Sequence, residues 1–376
     1  MDFTSLSNDI ILYIFSFLVL QDQASLSLTN KVYRDLFWRL VPKKIYLRGG
    51  FPYERFVQEF ETKDIAIRAI KFWYEFDGRL TYLPPSLKSL DLRYTFYEGN
   101  VDNLPSGLEK LKMSNNFSRS IDNLPKSLRV LKFNTQMAMF DEPIDNLPPA
   151  LEHLELGFDF NHCVDKLPKT LKTIKFGAHF NQPVDNLPSG ITKILFGREF
   201  NQRVDKLPLT LKSLTFGFKF NQRVDMLPSG IEFLRFGPRF NQTVDKLPSS
   251  LTFIIFGLDF NQRVDRLPSK LQRLELGSSF NHPVDNLPED LCSLIFSDEF
   301  NHPVEKLPKN LKNVTFGREF THTVNNLPEG LVYLRFTKNS KFTHPITKLP
   351  SSLVGHEMPN FYPHKLDTSN TKVVYY

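Results

Sequence analysis

Histidines recur at one place in a repeating frame, as at His282, His302, His322 and His344. Imidazoles on successive turns of a stacked chain, about 5 Å apart, could share one metal ion. The same place holds Gln182, Gln202, Gln222, Gln242 and Gln262, so a hydrogen-bonding role is the simpler expectation and no metal is expected. An aspartate column (Asp165, Asp185, Asp205) invites a calcium reading. It lacks the glycine-rich nonapeptide of calcium-binding β-rolls, and capping of turn N–H groups is expected instead. Neither Cys163 nor Cys292 has a reliable histidine base beside it, and GxSxG, P-loop and HExxH motifs are absent. An active site needs a unique, irregular constellation, and this chain is monotonous. No enzyme and no cofactor are expected.

The elements that place these columns follow from a period. Leu-Pro falls at 147, 167, 187, 207, 227, 247, 267, 287, 307 and 327, a spacing of 20 without a break. Such a period marks a solenoid in which each repeat stacks on its neighbours. With Leu151 as position 1, apolar residues fall at positions 1, 4 and 6 (Leu151, Leu154, Leu156; Ile191, Ile194, Phe196). The alternation at 4 and 6 is strand periodicity, with 3 and 5 on the other face. Glycine at 7 ends the strand. Phenylalanine at 10 (Phe160 to Phe320) is expected to stack as a buried spine. Asparagine at 11 (Asn161 to Asn301) is expected to form a ladder for loop backbone groups. Twenty residues leave no room for a full return helix; two turns are expected, with room for one 3₁₀ turn, and proline at 18 suits the start of such a turn.

The frame reaches back to Ile67, Ile70, Phe72 and Phe76 and forward to Pro350, fourteen rungs in all. One rung carries one extra residue after Leu92, another three near Thr135 to Met139, placed in a bulging loop, and the last two near Lys338 to Lys341. Lys44 to Leu47 reads as a strand and Tyr53 to Phe60 as a helix. The expected domains are a helical segment 1–41, a linker and cap 42–66, the solenoid 67–352 and a C-terminal cap 353–376.

The chain has 376 residues, 41% hydrophobic, with net charge +6. Lys and Arg are spread through the repeats, which disfavours a nucleic-acid partner. The longest apolar run, Ile10 to Leu20, is too short to span a bilayer, and an acidic opening with no cleavage site argues against a signal peptide. Two cysteines more than six repeats apart favour a reducing compartment. The expectation is a soluble protein of the cytoplasm, with the nucleus as an alternative.

Residues 6–40 show three short helical patterns, with caps at Ser7 or Asn8, at Asp22 and at Thr29 or Asn30. So small a piece needs a partner surface. Leu6, Ile10, Ile14-Phe15-Ser16-Phe17-Leu18, Asp22, Leu28-Thr29-Asn30-Lys31 and Tyr33 resemble an F-box, with Ser7 where many members have proline. The resemblance implies binding to the Skp-type adaptor of cullin-RING ubiquitin ligases through Leu6, Ile10, Ile14 and Leu18. The competing reading is a helical cap on the solenoid's edge. The strand pattern LxxLxF resembles that of leucine-rich repeats. Phe180-Asn181-Gln182-Pro183 and Phe280-Asn281-His282-Pro283 are similar to the core of the FNIP repeat. Proteins of that type come mostly from social amoebae and large viruses of amoebae, where an F-box followed by FNIP repeats is common; the location would then be the host cytoplasm for a viral member. Together these imply a mainly β solenoid of about fourteen parallel-strand FNIP repeats after a small three-helix F-box.

Positions 3 and 5 vary where the inward columns do not. Phe233, Phe253, Leu195 and Ile255 have no structural need to face water. With Lys193, Arg235 and Arg273 at the rim they form an expected protein-binding patch. Two functions follow: the substrate receptor of a Skp/cullin/F-box ligase, or a ligase-independent interaction scaffold.

Overall fold

The computed structural model describes residues 44–47, 67–72, 80, 83–366 and 372–375, with the backbone alone for the first and last of these. The 1–41 segment with Leu6, Ile10, Ile14 and Leu18, the helix expected at Tyr53 to Phe60, and Phe76 lie outside the described residues.

The chain forms parallel β-solenoids of 20-residue, leucine-rich-repeat-like turns, about fourteen in all, divided between two compact units, 1–180 and 181–376. The strands of the first unit are β1 (Lys44–Leu47), β2 (Ala69–Phe72), β3 (Ser89–Asp91), β4 (Lys110–Lys112), β5 (Val130–Lys132), β6 (His153–Glu155) and β7 (Thr173–Lys175). Each pairs in parallel with the next, position on position, as Leu131↔Leu154↔Ile174 shows. The second unit holds β8 (Lys193–Leu195), β9 (Ser213–Thr215), β10 (Phe233–Arg235), β11 (Phe253–Ile255), β12 (Arg273–Glu275), β13 (Ser293–Ile295), β14 (Asn313–Phe316), β15 (Tyr333–Phe336), β16 (Gly355–Met358) and β17 (Lys372–Tyr375), paired in the same way.

Three-residue strands hold because everything around them repeats. Positions 1, 4 and 6 are buried in every rung from Ile67 to Met358, and the ring at 10 is buried from the rung of β3, where it is Tyr97, to that of β15, where it is Phe342. Within a rung the rings at 6 and 10 lie face to face, 3.6 Å apart in Phe216–Phe220 and 3.7 Å in Phe236–Phe240. Between rungs the spine repeats at 6.1 Å through Phe200, Phe220, Phe240 and Phe260. Beyond a turn at positions 8 and 9 in most rungs, two β-turns complete the return. In the second, the N–H of position 1 donates to the carbonyl of the proline at 18, as Leu211 N does to Pro208 O at 3.0 Å. No residue in the described part is a 3₁₀ helix.

The glycine at 7 does more than stop the strand. A Cβ on Gly237 would stand 1.7 Å from the carbonyl oxygen of Gly217, and one on Gly257 1.8 Å from that of Gly237. Backbone rests on backbone there, so hydrogen is the side chain with room. Where serine replaces glycine, its hydroxyl donates to the position-10 carbonyl of the preceding rung: Ser297 to Phe280 (2.6 Å) and Ser114 to Tyr97 (2.5 Å).

The asparagine ladder forms as expected. Asn221 Oδ1 accepts the N–H of Asn241 (3.0 Å), and Asn241 Oδ1 that of Asn261 (3.0 Å). Several aspartates at 15 reach side chains. Asp102 and Asp122 accept from the side chains of Asn123 (2.9 Å) and Asn146 (3.1 Å), one rung on, and Asp145 from Lys166 (2.8 Å). Hydroxyls at position 20 serve the second turn: Thr210 donates to Ser189 O (2.6 Å) and Ile191 O (2.7 Å).

Pairing continues past residue 352. Leu353, His356 and Met358 occupy positions 1, 4 and 6 and are buried. Tyr362 takes the place of the spine phenylalanine, 5.8 Å from Phe342. β17 then adds a further strand.

Candidate protein-binding face

The expected patch lies on the open face of the second unit's sheet. Register sets Phe233 beside Phe253 and Phe253 beside Arg273. The two rings meet edge to face, centroids 4.9 Å apart at 88°. The Arg273 guanidinium lies over the Phe253 ring at 4.9 Å, and its Nε and Nη2 donate to Glu275 Oε1 at 3.0 and 2.5 Å. All three side chains remain half-buried or exposed. Arg273 is thus held by two partners before any ligand arrives, which lowers the entropy lost on binding. An aromatic pair with a fixed arginine is the composition of interface hot spots.

The other expected residues are less tightly gathered. Ile255 sits on β11 between Arg235 and Glu275, within the same patch. Leu195 pairs with Thr215, which pairs with Arg235. Two strands therefore separate Leu195 from Ile255, and Lys193 keeps to that same far edge.

The histidine column is a hydrogen-bonding one. Nε2 of His282, His302 and His322 lies 3.1, 3.0 and 3.0 Å from the carbonyls of Asn261, Asn281 and Asn301. A carbonyl only accepts, so Nε2 carries the proton. Gln202 and Gln222 make the equivalent bond through Nε2–H at 3.1 Å. Among the described residues no group of three or more His, Cys, Asp or Glu is placed to hold a metal ion, and no helix is long and apolar enough to cross a membrane. Cys163 and Cys292 are free thiols.

A second feature was invisible to sequence reasoning. The extra residue after Leu92 and the loop near Thr135 to Met139 face each other across β4 in the first unit and wall a cleft of about 590 Å³. The signal that marks it is the pair of broken periods.

Repeats of this kind match the description "FNIP Repeat" over residues 98–136, 140–179, 180–219, 220–259, 240–279, 260–299 and 300–339. The chain belongs to the FNIP repeat family. Among solved structures this FNIP chain is similar to CroV588, a circular LRR protein from a giant virus, with 28% identity and a TM-score of 0.70. The match covers 89% of this chain and 60% of CroV588, so the chain spans about three fifths of that protein's length. It is weakly similar to YopM from Yersinia enterocolitica, with 17% identity, a TM-score of 0.46 and 82% of each chain covered. No curated protein matches. The FNIP chain is a repeat protein with a leucine-rich-repeat-like solenoid suited to protein–protein interaction.

Proposed function

We propose that this chain is the target-recognition subunit of a Skp/cullin/F-box type ubiquitin ligase. In this reading residues 1–41 dock on the Skp-type adaptor through Leu6, Ile10, Ile14 and Leu18. The sheet face around Phe233, Phe253, Arg235, Ile255 and Arg273, with Leu195 at its far edge, holds a target protein. The carrying observation is the preorganised Phe233–Phe253–Arg273 stack on a face that the fold does not need to be apolar. The F-box resemblance supplies the ligase half, and a cytoplasmic or nuclear location goes with it.

Affinity purification of the full chain from cells tests both halves. Leu6→Asp with Ile14→Asp should lose the adaptor and keep targets. Phe233→Asp with Phe253→Asp should lose targets and keep the adaptor. A wild-type chain that recovers targets without the adaptor makes it a ligase-independent scaffold, and unchanged capture by the phenylalanine variant removes the patch.

A further inference from the structure

The cleft of the first unit has walls, a floor and an unmet hydrogen-bond acceptor. The rung of β3 has one residue more than 20, and Tyr97 takes the buried ring position at 4% exposure while Phe96 is thrown out to 57%. Thr95 fixes this bulge: its hydroxyl donates to Leu92 O (2.8 Å) and accepts from Tyr97 N (3.3 Å). Opposite, the three extra residues of the β5 rung put Met137 outside at 65% exposure. That loop is also held, by Met139 N to Asn115 O (2.8 Å) and Gln136 N to Asn134 Oδ1 (3.0 Å). Exposed phenylalanine and methionine on tethered loops are a costly choice for a surface without a ligand.

The floor is cationic. Arg93, Lys112, Lys132 and Lys175 line it together with Glu155. Asp91 lies beneath and accepts from Arg93 Nε and Nη2 (3.0 and 2.9 Å) and from Lys112 Nζ (3.3 Å), while Glu155 takes Lys132 Nζ (2.5 Å). Burial pushes the Asp91 carboxyl up, but the Arg93 hydrogen bond and the charges of Lys112 and Arg93 outweigh it and hold it below its ordinary value. Asp91 therefore stays ionised near neutral pH. Four cations against two carboxylates leave 4 − 2 = +2, and among the described residues Lys175 has no ion-pair partner. At the same cleft, Asn115 Oδ1 is buried with no hydrogen-bond partner. An acceptor left unmet asks for a donor, which a bare anion lacks and a peptide N–H supplies.

We propose that this cleft binds an acidic segment of a partner protein, in extended form, with one apolar side chain seated between Phe96 and Met137. From β3 to β7 is four strand steps, roughly 19 Å, the reach of about six extended residues. Carboxylates of the segment meet the surplus positive charge around Lys175, and a backbone N–H meets Asn115 Oδ1 once that amide turns from its buried position into the cleft. Two carboxylates in the floor disfavour a polyanion such as nucleic acid, whose binding rests on uninterrupted positive charge. This site is independent of the aromatic face of the second unit, so either can fail alone.

The test is fluorescence anisotropy on the full chain with a labelled seven-residue peptide, one phenylalanine flanked on each side by three Asp or Glu residues. Saturable binding is expected, at least about tenfold weaker for the same peptide with Asn and Gln in place of the acids. The triple variant Phe96→Ser, Met137→Ser, Lys175→Glu should bind at least about tenfold more weakly at an unchanged unfolding midpoint. Should that variant not fold, Lys175→Gln alone keeps both walls and should weaken binding several-fold. Failure of the wild-type chain to bind, equal affinity for the amide peptide, undiminished binding by the variant, or tighter binding of a short oligothymidylate would each overturn the proposal.

Discussion

Replacing Gly237 by alanine tests the stacking geometry most directly. The new Cβ would lie 1.7 Å from Gly217 O and 2.4 Å from Gly217 C, both backbone atoms that no rotamer change can move. Ordinary contact begins near 3.4 Å, so the two rungs must part locally by about 1.7 Å, the difference between the two. Three inter-rung hydrogen bonds lie next to this contact: Arg239 N to Phe218 O (3.1 Å), Asn241 N to Asn221 Oδ1 (3.0 Å) and Gln242 Nε2 to Asn221 Oδ1 (3.1 Å). Such a movement breaks all of them, and at about 0.5–1.5 kcal/mol each the cost is roughly 1.5–4.5 kcal/mol. Gly237→Ser should cost about half as much, because Ser297 shows the escape: its hydroxyl donates to Phe280 O, and residues 298–299 form a bend where the Gly237 rung forms a turn. Gly230, at position 20, is the control. A Cβ there meets Leu209 O at 3.3 Å, and Thr210 and Ser250 already occupy the equivalent place. Gly230→Thr should raise stability by about 0.5–1 kcal/mol through the bonds that Thr210 makes. Urea unfolding of the full chain reads all three. If Gly237→Ala unfolds within about 0.5 kcal/mol of the wild type, the rungs are not locked at that contact and the argument fails.

Two further predictions concern polar groups. Asn221→Ala strips the acceptor from Asn241 N and Gln242 Nε2 and should cost about 1–3 kcal/mol; Asn221→Asp should be nearly neutral, since Asp141 does the same for Asn161 N at 3.0 Å, and equal costs for the two variants would refute the ladder. His356 stands at core position 4, 2% exposed, with neither ring nitrogen bonded among the described residues, and burial holds its pKa below the ordinary 6.5. The unfolded chain therefore takes up a proton first, so this group's contribution is intact above about pH 6.5 and is lost as pH falls from there toward the lowered folded value. His356→Leu should abolish that part of the acid loss seen as hydrogen exchange in β15 and β16, and an unchanged pH profile would show that the imidazole is not the cause.

The parts of the fold that were legible in the sequence are those where burial allows a single residue type. Leu at 1 and 4 and Phe at 10 recur because each faces the same packed interior, and Phe233 beside Phe253 follows from a spacing of 20 in parallel register. The close contact at Gly237 was not legible, because a strand-ending glycine and a glycine under a neighbouring carbonyl look alike in a pattern. The partners of Asp122 were not legible either: its carboxylate accepts from Ser120 in its own rung and from Asn146 on the next, which only side-chain geometry selects. The rung from Leu353 was hidden by His356 and Tyr362 in places otherwise held by Leu and Phe. The distance of Leu195 from Ile255 was countable in the repeat frame, but a list of apolar residues on one face does not carry it.

The broken periods point to a rule about where such a chain can change. Between β2 and β16 three rungs are lengthened, and each adds its residues between positions 6 and 10: one between Leu92 and Tyr97, three between Phe133 and Phe140, two between Phe336 and Phe342. The anchors at both ends stay buried, and the rings of Phe133–Phe140 and Phe336–Phe342 remain 4.2 Å apart, the same as in the regular Phe316–Phe320 rung. Insertion elsewhere would displace the asparagine ladder or the Pro–Leu turn, each of which binds a rung to its neighbour or to itself. Two places can therefore vary or lengthen without disturbing the core, the outward positions 3 and 5 and the corner after the strand. The Phe233–Phe253–Arg273 stack uses the first of these, and the cleft between Phe96 and Met137 uses the second.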